Sequence, residues 1–501
     1  MNSIFDFRSL TIAASALSGK HFAKKFLNFL QGEVPVDRGA PFTKDECSDL
    51  DKLISRLACN YAYLSTTILK EFIAFPSQNM SADMNQLTQK FIQYLIDKII
   101  ETKAVSDQND IHIDENGNLV WAVYDLDDPT PFSERKVIFI NSSFSAFFDN
   151  FTEWSHLFGQ GLNKYEGLID DTKIDKDALK KLLPYLPPEV WWSRLTFGNG
   201  AASGLQGIAA QIVSMKILEE SKELNSLKGV VVVSSITKNE HMPFHVIKEC
   251  QLFPDVLILS EATGRIENGP CGIAIGQNGR AMVEVSVNRG FTIEDGARVV
   301  AEAVAANMNR PNSDQILGPV TRNATDAFVA PKKFNARFVR TLTIGETNDI
   351  ALEEIESLPT VAKALAFGGF VAQSEFESFP AWKTPRDHSI LSIASETYRR
   401  TVSPYIDEGQ TLEYLRKRPF FTARGKGDNS SGYPIKQSLI NDKVTKDDWV
   451  KYDDKVMPPT FAIGSGIIEN AGKPGEFVNQ ELVWAPIAVI SRFPSLLVEK
   501  Q

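Results

Sequence analysis

The stretches 206–221 (QGIAAQIVSMKILEES), 229–236 (GVVVVSSI) and 255–260 (DVLILS) decide the fold, because they set a helical segment beside two short strands that are almost wholly apolar. A third strand of this kind, KVIFIN at 136–141, precedes them. Such strands are buried on both sides, and their alternation with helices is typical of a mostly parallel sheet with helices on both faces. We predict an α/β fold.

The pattern changes between about residue 277 and residue 380. RAMVEVSVNRGF (280–291) and NARFVRTLTIG (335–345) alternate apolar and polar residues, and a helical segment follows each of them. This alternation predicts a half-exposed antiparallel sheet, so we expect a small α+β unit inserted in the larger domain. The predicted organisation is an N-terminal helical extension (1–58), a first α/β part (59–276), the inserted α+β domain (277–380) and a second α/β part (381–501).

Composition restricts the class of protein. The 501 residues are 43% hydrophobic, which is enough for at least two domains with large cores. A net charge of −10 argues against nucleic acid or an anionic membrane surface as the partner. Four scattered cysteines without a CxxC pair suit a reducing compartment, and the N-terminus lacks the features of a cleaved signal. We expect a cytoplasmic protein.

Four short strings of the sequence resemble those of one known family. FGNGA (197–201) is similar to the family's YGRGA, PDVLILSEAT (254–263) to its PD-VVITEPT, IGQNGRAMVEV (275–285) to its RGQRGRAEIEV, and VRTLTIGET (339–347) to its RRLTAGET. The family is that of the co-catalytic di-zinc metallopeptidases of glutamate carboxypeptidase, succinyl-diaminopimelate desuccinylase and aminoacylase type. Its selenium-metabolism-linked hydrolase branch is the most similar. The strings keep the family's order over about residues 60–500, which implies its α/β frame with an inserted lid domain.

The resemblance implies two zinc ions held by imidazole and carboxylate groups, with a glutamate as general base, but this chain carries other side chains at those positions. The substituted positions are Ser142 and Phe144 for His-x-Asp, Ser203 for the bridging aspartate, Ser235 and Ile236 for the paired glutamates, and Gly472 for the C-terminal histidine. The lid loop that carries a further family histidine is deleted. Glu261 alone matches a family ligand. We therefore predict a degenerate member with no metal, no cofactor and no catalytic residue.

The six histidines offer no replacement site in the sequence. His241 and His245 have the i, i+4 spacing of a helical metal pair, yet the glutamate of HExxH is absent and Pro243 breaks the turn. His112 precedes an Asn-Gly hairpin, and we expect a structural role for it. The other three have no companion residues and are expected to be surface or satisfied core imidazoles: His21, His156 and His388.

Two functions remain open on the sequence. The first is a pseudoenzyme, kept as a structural or regulatory subunit of a homo-oligomer or a larger complex. The second is a metal-independent amidohydrolase, or a binder of small carboxylates or N-acyl amino acids. Its possible ligand-binding remnants are Glu261, Arg340, Ser142 and Ser203. We expect Glu261 to bond to the serines that replace the ligands. Arg340 either binds a carboxylate or pairs with a neighbouring acid.

Two features of the sequence predict binding partners: the strands of the lid and an apolar stripe in the N-terminal extension. The strands of the lid predict a homodimer or higher oligomer, because an open sheet edge is a liability unless something covers it. The N-terminal extension carries Phe22, Phe26 and Phe29 on a basic helix. An apolar helical stripe must be buried, so this one either binds another protein or packs on its own domain.

Overall fold

The computed structural model describes residues 39–78, 84–144, 174–222, 224, 227–238, 246, 254–266, 269–277, 279–287, 302, 324–330, 333–342, 348–366, 370–373, 382–406, 415, 418–424 and 458–500. The helices are α1 Asp49–Gln78, α2 Met84–Glu101, α3 Lys176–Leu182, α4 Gly204–Ser221, α5 Asn348–Glu356, α6 Pro359–Ala366, α7 Ser389–Thr401 and α8 Trp484–Glu499. The strands are β1 His112–Ile113, β2 Leu119–Tyr124, β3 Lys136–Ser143, β4 Leu195–Phe197, β5 Val230–Thr237, β6 Val256–Ser260, β7 Ile273–Gln277, β8 Gly279–Val287, β9 Ala324–Ala330, β10 Lys333–Leu342, β11 Phe370–Gln373, β12 Trp382–Lys383, β13 Phe421–Arg424, β14 Thr460–Ile463 and β15 Phe477–Asn479.

A nine-stranded mixed sheet forms the centre of the protein. Its order is β1-β2-β5-β3-β6-β14-β7-β12, and β13 also pairs with β7. The middle strands β5, β3, β6 and β14 run parallel, whereas β2 at one side and β7 at the other pair antiparallel with them. The predicted α/β fold is therefore confirmed, and the antiparallel pairs lie toward the two edges.

Both faces of the middle strands are buried, as their apolar sequences predict. Ile138 and Val232 belong to the larger core cluster, and Phe139 and Val233 belong to a second cluster on the opposite face. On the first face α4 lies across β3, β5 and β6, α1 and α8 pack against it, and α7 packs on α1 and α8. Since α4 is enclosed by the sheet and these helices, almost its whole length is buried.

A second, four-stranded antiparallel sheet has the order β11-β8-β10-β9. Its strands come between β7 and β12 in the chain, so this sheet is inserted within the larger one in sequence. Two details differ from the prediction. The short strands β9 and β11 were not anticipated, and the segment 348–366 forms two helices that separate at Ser357-Leu358.

Helix α1 also differs from the prediction, which ended the N-terminal extension at residue 58. The helix is continuous for 30 residues from Asp49 to Gln78. Both its first half, through Ile54, and its second half, through Phe72, contribute to the larger core cluster. The residues from 49 onward therefore pack with the α/β domain. Residues 1–38, with the phenylalanine stripe, lie outside the described residues.

A buried ion pair joins the beginning and the end of this domain. Arg492 on α8 donates from Nε to Oδ1 of Asp51 on α1 at 2.8 Å, and both residues are at most 1% exposed.

Among the described helices, none is long and apolar enough to cross a membrane.

Candidate functional site

The carboxyl ends of β5, β3 and β6 lie side by side in parallel register, with Ser142 opposite Ile236 and Asn141 opposite Leu259. The start of α4, directly after the loop 198–203, lies against these ends, where Gly204 approaches Ser143 and Gly207 approaches Ser260. This is the edge at which open α/β sheets place their ligands. The predicted site positions on β3, on β5 and before α4 are thus brought to one region.

Ser142 and Phe144 are turned into the protein interior. Ser142 is fully buried, and its hydroxyl donates to Oε1 of Gln211 at 2.6 Å and contacts the carbonyl oxygen of Ser260 at 3.2 Å. Phe144 is also fully buried and meets the Phe91 ring edge-on, with 5.5 Å between the ring centroids. Where the family resemblance implies an imidazole and a carboxylate, the structure therefore has a satisfied hydroxyl and a core aromatic ring.

Ser235 and Ile236 at the end of β5 are fully buried as well. Ile236 belongs to the larger core cluster, and the carbonyl oxygen of Ser235 accepts from Nε2 of Gln211 at 2.8 Å. Within the described part of the chain, the Ser235 hydroxyl has no hydrogen-bond partner. Neither side chain offers a proton acceptor of the kind that a general base requires.

Gln211 is the central residue of this region, and sequence reasoning missed it. Its amide reaches from α4 to Ser142 on β3 and to both the Ser234 hydroxyl and the Ser235 carbonyl on β5. One signal was available: Gln211 lies between apolar residues in the middle of the helix, in the string IAAQIV. Leaving a buried amide unpaired is costly, so such a residue is a candidate for bonds to the neighbouring strands.

Ser203 and Gly472 lie together around another missed residue, Glu476. The Glu476 carboxylate is fully buried and accepts from the backbone N–H groups of Gly200 at 2.5 Å, Ala202 at 3.2 Å and Gly472 at 3.1 Å. The Ser203 hydroxyl is 3.5 Å from the same carboxylate. Gly472 has φ +70°, a left-handed conformation that favours glycine over the histidine that the resemblance implies.

Glu261 and Arg340 lie in different parts of the fold. Glu261 is 1% exposed and follows β6. Two of the serines at the former ligand positions have other partners, because Ser142 bonds to Gln211 and Ser203 lies beside Glu476. That Glu261 bonds to the serines stays a prediction. Arg340 lies in the four-stranded sheet, where its backbone pairs with Ala281. The two residues thus belong to different sheets.

The donors at these positions do not fit a zinc ion. Zinc in proteins takes imidazole nitrogen, thiolate sulfur or carboxylate oxygen. Apart from the carboxylate of Glu261, the positions hold hydroxyls, a phenyl ring, a sec-butyl side chain and a glycine. Across the described ranges, no group of three or more His, Cys, Asp or Glu side chains is placed to hold a metal ion.

Two histidines can be located. His112 lies on the exposed strand β1, and His388 caps α7 by accepting from the N–H of Ile390 at 3.3 Å. The other four lie outside the described residues: His21, His156, His241 and His245.

Solved metallopeptidase structures share this architecture along most of their length. The M20 family metallo-carboxypeptidase Sso-CP2 from Sulfolobus solfataricus aligns with a TM-score of 0.56 at 12% identity, covering 86% of this chain and 98% of that one. The di-peptidase Dug1p from Saccharomyces cerevisiae aligns with a TM-score of 0.61 at 9% identity, covering 90% and 98%. Human carnosine dipeptidase 1 gives 0.54 at 11% identity, covering 90% and 99%.

The protein therefore has the fold of the M20 metallopeptidases. Sequence comparison adds nothing to this, since no family model and no curated protein matches the chain. Identities of 9–12% show the fold alone.

Proposed function

We propose that this chain is a non-catalytic protein on an M20 metallopeptidase frame, kept as a structural or regulatory subunit of a homo-oligomer or a larger complex. One observation carries the proposal. Two of the residues at the former ligand positions have partners within the protein: Ser142 donates to Gln211 at 2.6 Å, and the Ser203 hydroxyl lies 3.5 Å from the Glu476 carboxylate. Side chains that bind or activate a substrate converge on one open cavity. Ser142 and Ser203 are instead directed at buried groups of the protein.

The alternative, a metal-independent amidohydrolase or a binder of small carboxylates, receives less support. A serine nucleophile requires an adjacent base, whereas the Ser142 hydroxyl donates to an amide oxygen, which is not basic. Of the possible ligand-binding remnants, Arg340 lies on β10 of the four-stranded sheet, whereas Glu261 follows β6 of the central sheet.

A homodimer through the lid remains our proposal for the assembly. In the described sheet, β9 and β11 are the outermost strands, and such edges are normally covered. We further propose a cytoplasmic protein, since acidic charge and scattered cysteines suit that compartment. Light scattering tests the proposed assembly, by measuring the mass of the purified chain and the masses of its complexes from cell extract. A monomer without stable partners would contradict the subunit role.

We expect the purified chain to show no turnover of dipeptides or N-acyl amino acids, with or without added zinc, cobalt or manganese. The physical reason is that the general base and the metal donors are replaced by buried Ser235, Ile236 and Ser142. An active M20 dipeptidase assayed in parallel is the control. Metal-dependent turnover on the order of 1 per second or faster, within the ordinary range of enzymes, would overturn the proposal.

A further inference from the structure

The residues at the former ligand positions do not fit the family's metal centre. This raises the question of what holds the ends of β3, β5 and β6 together. A metal ion that takes ligands from several elements ties those elements to one another and adds its binding free energy to folding. We propose that the amide of Gln211 takes over this mechanical role, so that the fold is complete without metal. This goes beyond the proposed function, because a non-catalytic chain could equally have left the region loosely packed.

The first support is the reach of the amide. Nε2 donates to the Ser234 hydroxyl at 2.7 Å and to the Ser235 carbonyl at 2.8 Å, with the Ile140 carbonyl at 3.3 Å. Oε1 accepts from the Ser142 hydroxyl at 2.6 Å. The two carbonyl acceptors fix the orientation of the amide, because only its NH₂ group can donate to them. One side chain thus joins α4 to β3 and β5.

The second support is that the bonds extend to the next strand. The Ser142 hydroxyl also lies 3.2 Å from the Ser260 carbonyl oxygen on β6, and the Ser260 hydroxyl donates to the Gly207 carbonyl of α4 at 3.0 Å. The set Gln211, Ser142, Ser234 and Ser260 is called the Gln211 network below. It links one helix with three adjacent strands, including two that the resemblance would join through metal ligands.

The third support is the close approach of α4 to the sheet. A β-carbon at Gly207 would overlap the carbonyl oxygen of Ser260, so the helix backbone rests directly on the strand end. At this separation a glutamine side chain spans from helix to strands with short hydrogen bonds. All four members of the Gln211 network are at most 1% exposed, and water cannot replace their bonds without opening the core.

The test is urea unfolding of the full chain, with variants of the Gln211 network. Gln211→Met keeps the length of the side chain and removes its hydrogen bonds, and we expect it to raise the unfolding equilibrium constant by roughly 30-fold or more. Gln93→Met is the matched control, because Gln93 is exposed on α2 and donates to Asp97 one turn away, at 2.9 Å. It should change the constant by less than about threefold.

Coupling between the bonded residues separates a network from a merely buried position. The double variant Ser142→Ala/Gln211→Met should be destabilised by clearly less than the product of the two single effects. If Gln211→Met does not fold, Ser142→Ala and Ser234→Ala serve, because each leaves the amide partly bonded and should raise the constant about threefold to tenfold. Effects no larger than that of Gln93→Met would overturn the proposal.

Metal dependence of the wild type gives the last arm of the test. Chelator and excess zinc should each leave the unfolding midpoint unchanged, because a ligand that does not bind the native state cannot stabilise it. A midpoint that rises with zinc, or falls with chelator, would show that a bound metal stabilises the fold and would overturn the proposal. The proposed function is tested by turnover and by mass, whereas this proposal is tested by unfolding. Small effects of the Gln211 network variants in a protein without turnover would therefore overturn this proposal alone.

Discussion

Replacing Arg492 by methionine should lower the free energy of unfolding by about 3–5 kcal/mol, which is the range for removing one partner of a buried ion pair. Arg492 is 1% exposed and bonds through Nε to Asp51 at 2.8 Å, and through its other nitrogens to Ser495 at 2.7 Å and Glu499 at 2.8 Å. The variant leaves the fully buried Asp51 carboxylate with Arg400 as its remaining cation, at 3.4 Å. Chemical denaturation measures the loss.

Surface and buried pairs should behave differently in the same assay. Arg194 pairs with Glu481 at 3.1 Å, and both side chains are nearly half exposed. Arg194→Met should therefore cost less than about 1 kcal/mol, as exposed pairs usually do. Equal losses from Arg194→Met and Arg492→Met would contradict the structural role that we assign to the buried pair.

The effect of Arg492→Met should also depend on pH. Burial acts to raise the pKa of Asp51, but the charge of Arg492 and the hydrogen bonds from Arg492 and Ser48 outweigh it and hold the pKa below the usual 3.8. A carboxyl whose pKa is lower in the folded state stabilises the fold above its unfolded pKa, and this contribution is lost as the pH falls below about 4. The difference between wild type and variant should therefore shrink from pH 7 to pH 3.

Glu476→Gln should lower the free energy of unfolding by about 2–4 kcal/mol. The substitution keeps the shape, but one carboxylate oxygen becomes an NH₂ group that faces backbone N–H donors. If the amide oxygen accepts from Gly200, the NH₂ is placed against the N–H groups of Ala202 and Gly472. The opposite orientation places it against Gly200. Either way, buried donors lose their acceptor.

The surface residue Glu481 supplies the matched control for this substitution. Glu481→Gln removes a carboxylate that is exposed to water and should cost less than about 1 kcal/mol. A neutral effect of Glu476→Gln would mean that the loops 198–203 and 471–476 are not held together by this carboxylate.

The sequence predicted the central sheet because its decisive signals are local. A short apolar stretch of the sequence is enough to recognise each of the strands β3, β5 and β6, and a longer one to recognise α4. The small inserted sheet was predicted in the same way from the alternation in β8 and β10. The start of the α/β domain was placed wrongly, since α1 continues through a turn-free segment that we divided at residue 58.

The internal bonds of the candidate site could not be predicted, because their partners are far apart in the chain. Ser142 and Gln211 are 69 residues apart, and Gly200 and Glu476 are 276 residues apart. The family resemblance indicated which positions had changed, at Ser142 and Gly472 for example. It gave no information about which residues would satisfy the new side chains. That depends on tertiary packing, and only the structure brings Gln211 and Glu476 to those positions.

Metal content tests the central claim most directly. The chain should be purified without chelator, dialysed against zinc at a few micromolar concentration and analysed for bound metal per chain. Because the former ligand positions offer one carboxylate, Glu261, where zinc needs three or four donors, we expect well below about 0.1 zinc per chain. About two metals per chain, as the family resemblance implies, would contradict the account and would identify the protein as a candidate hydrolase.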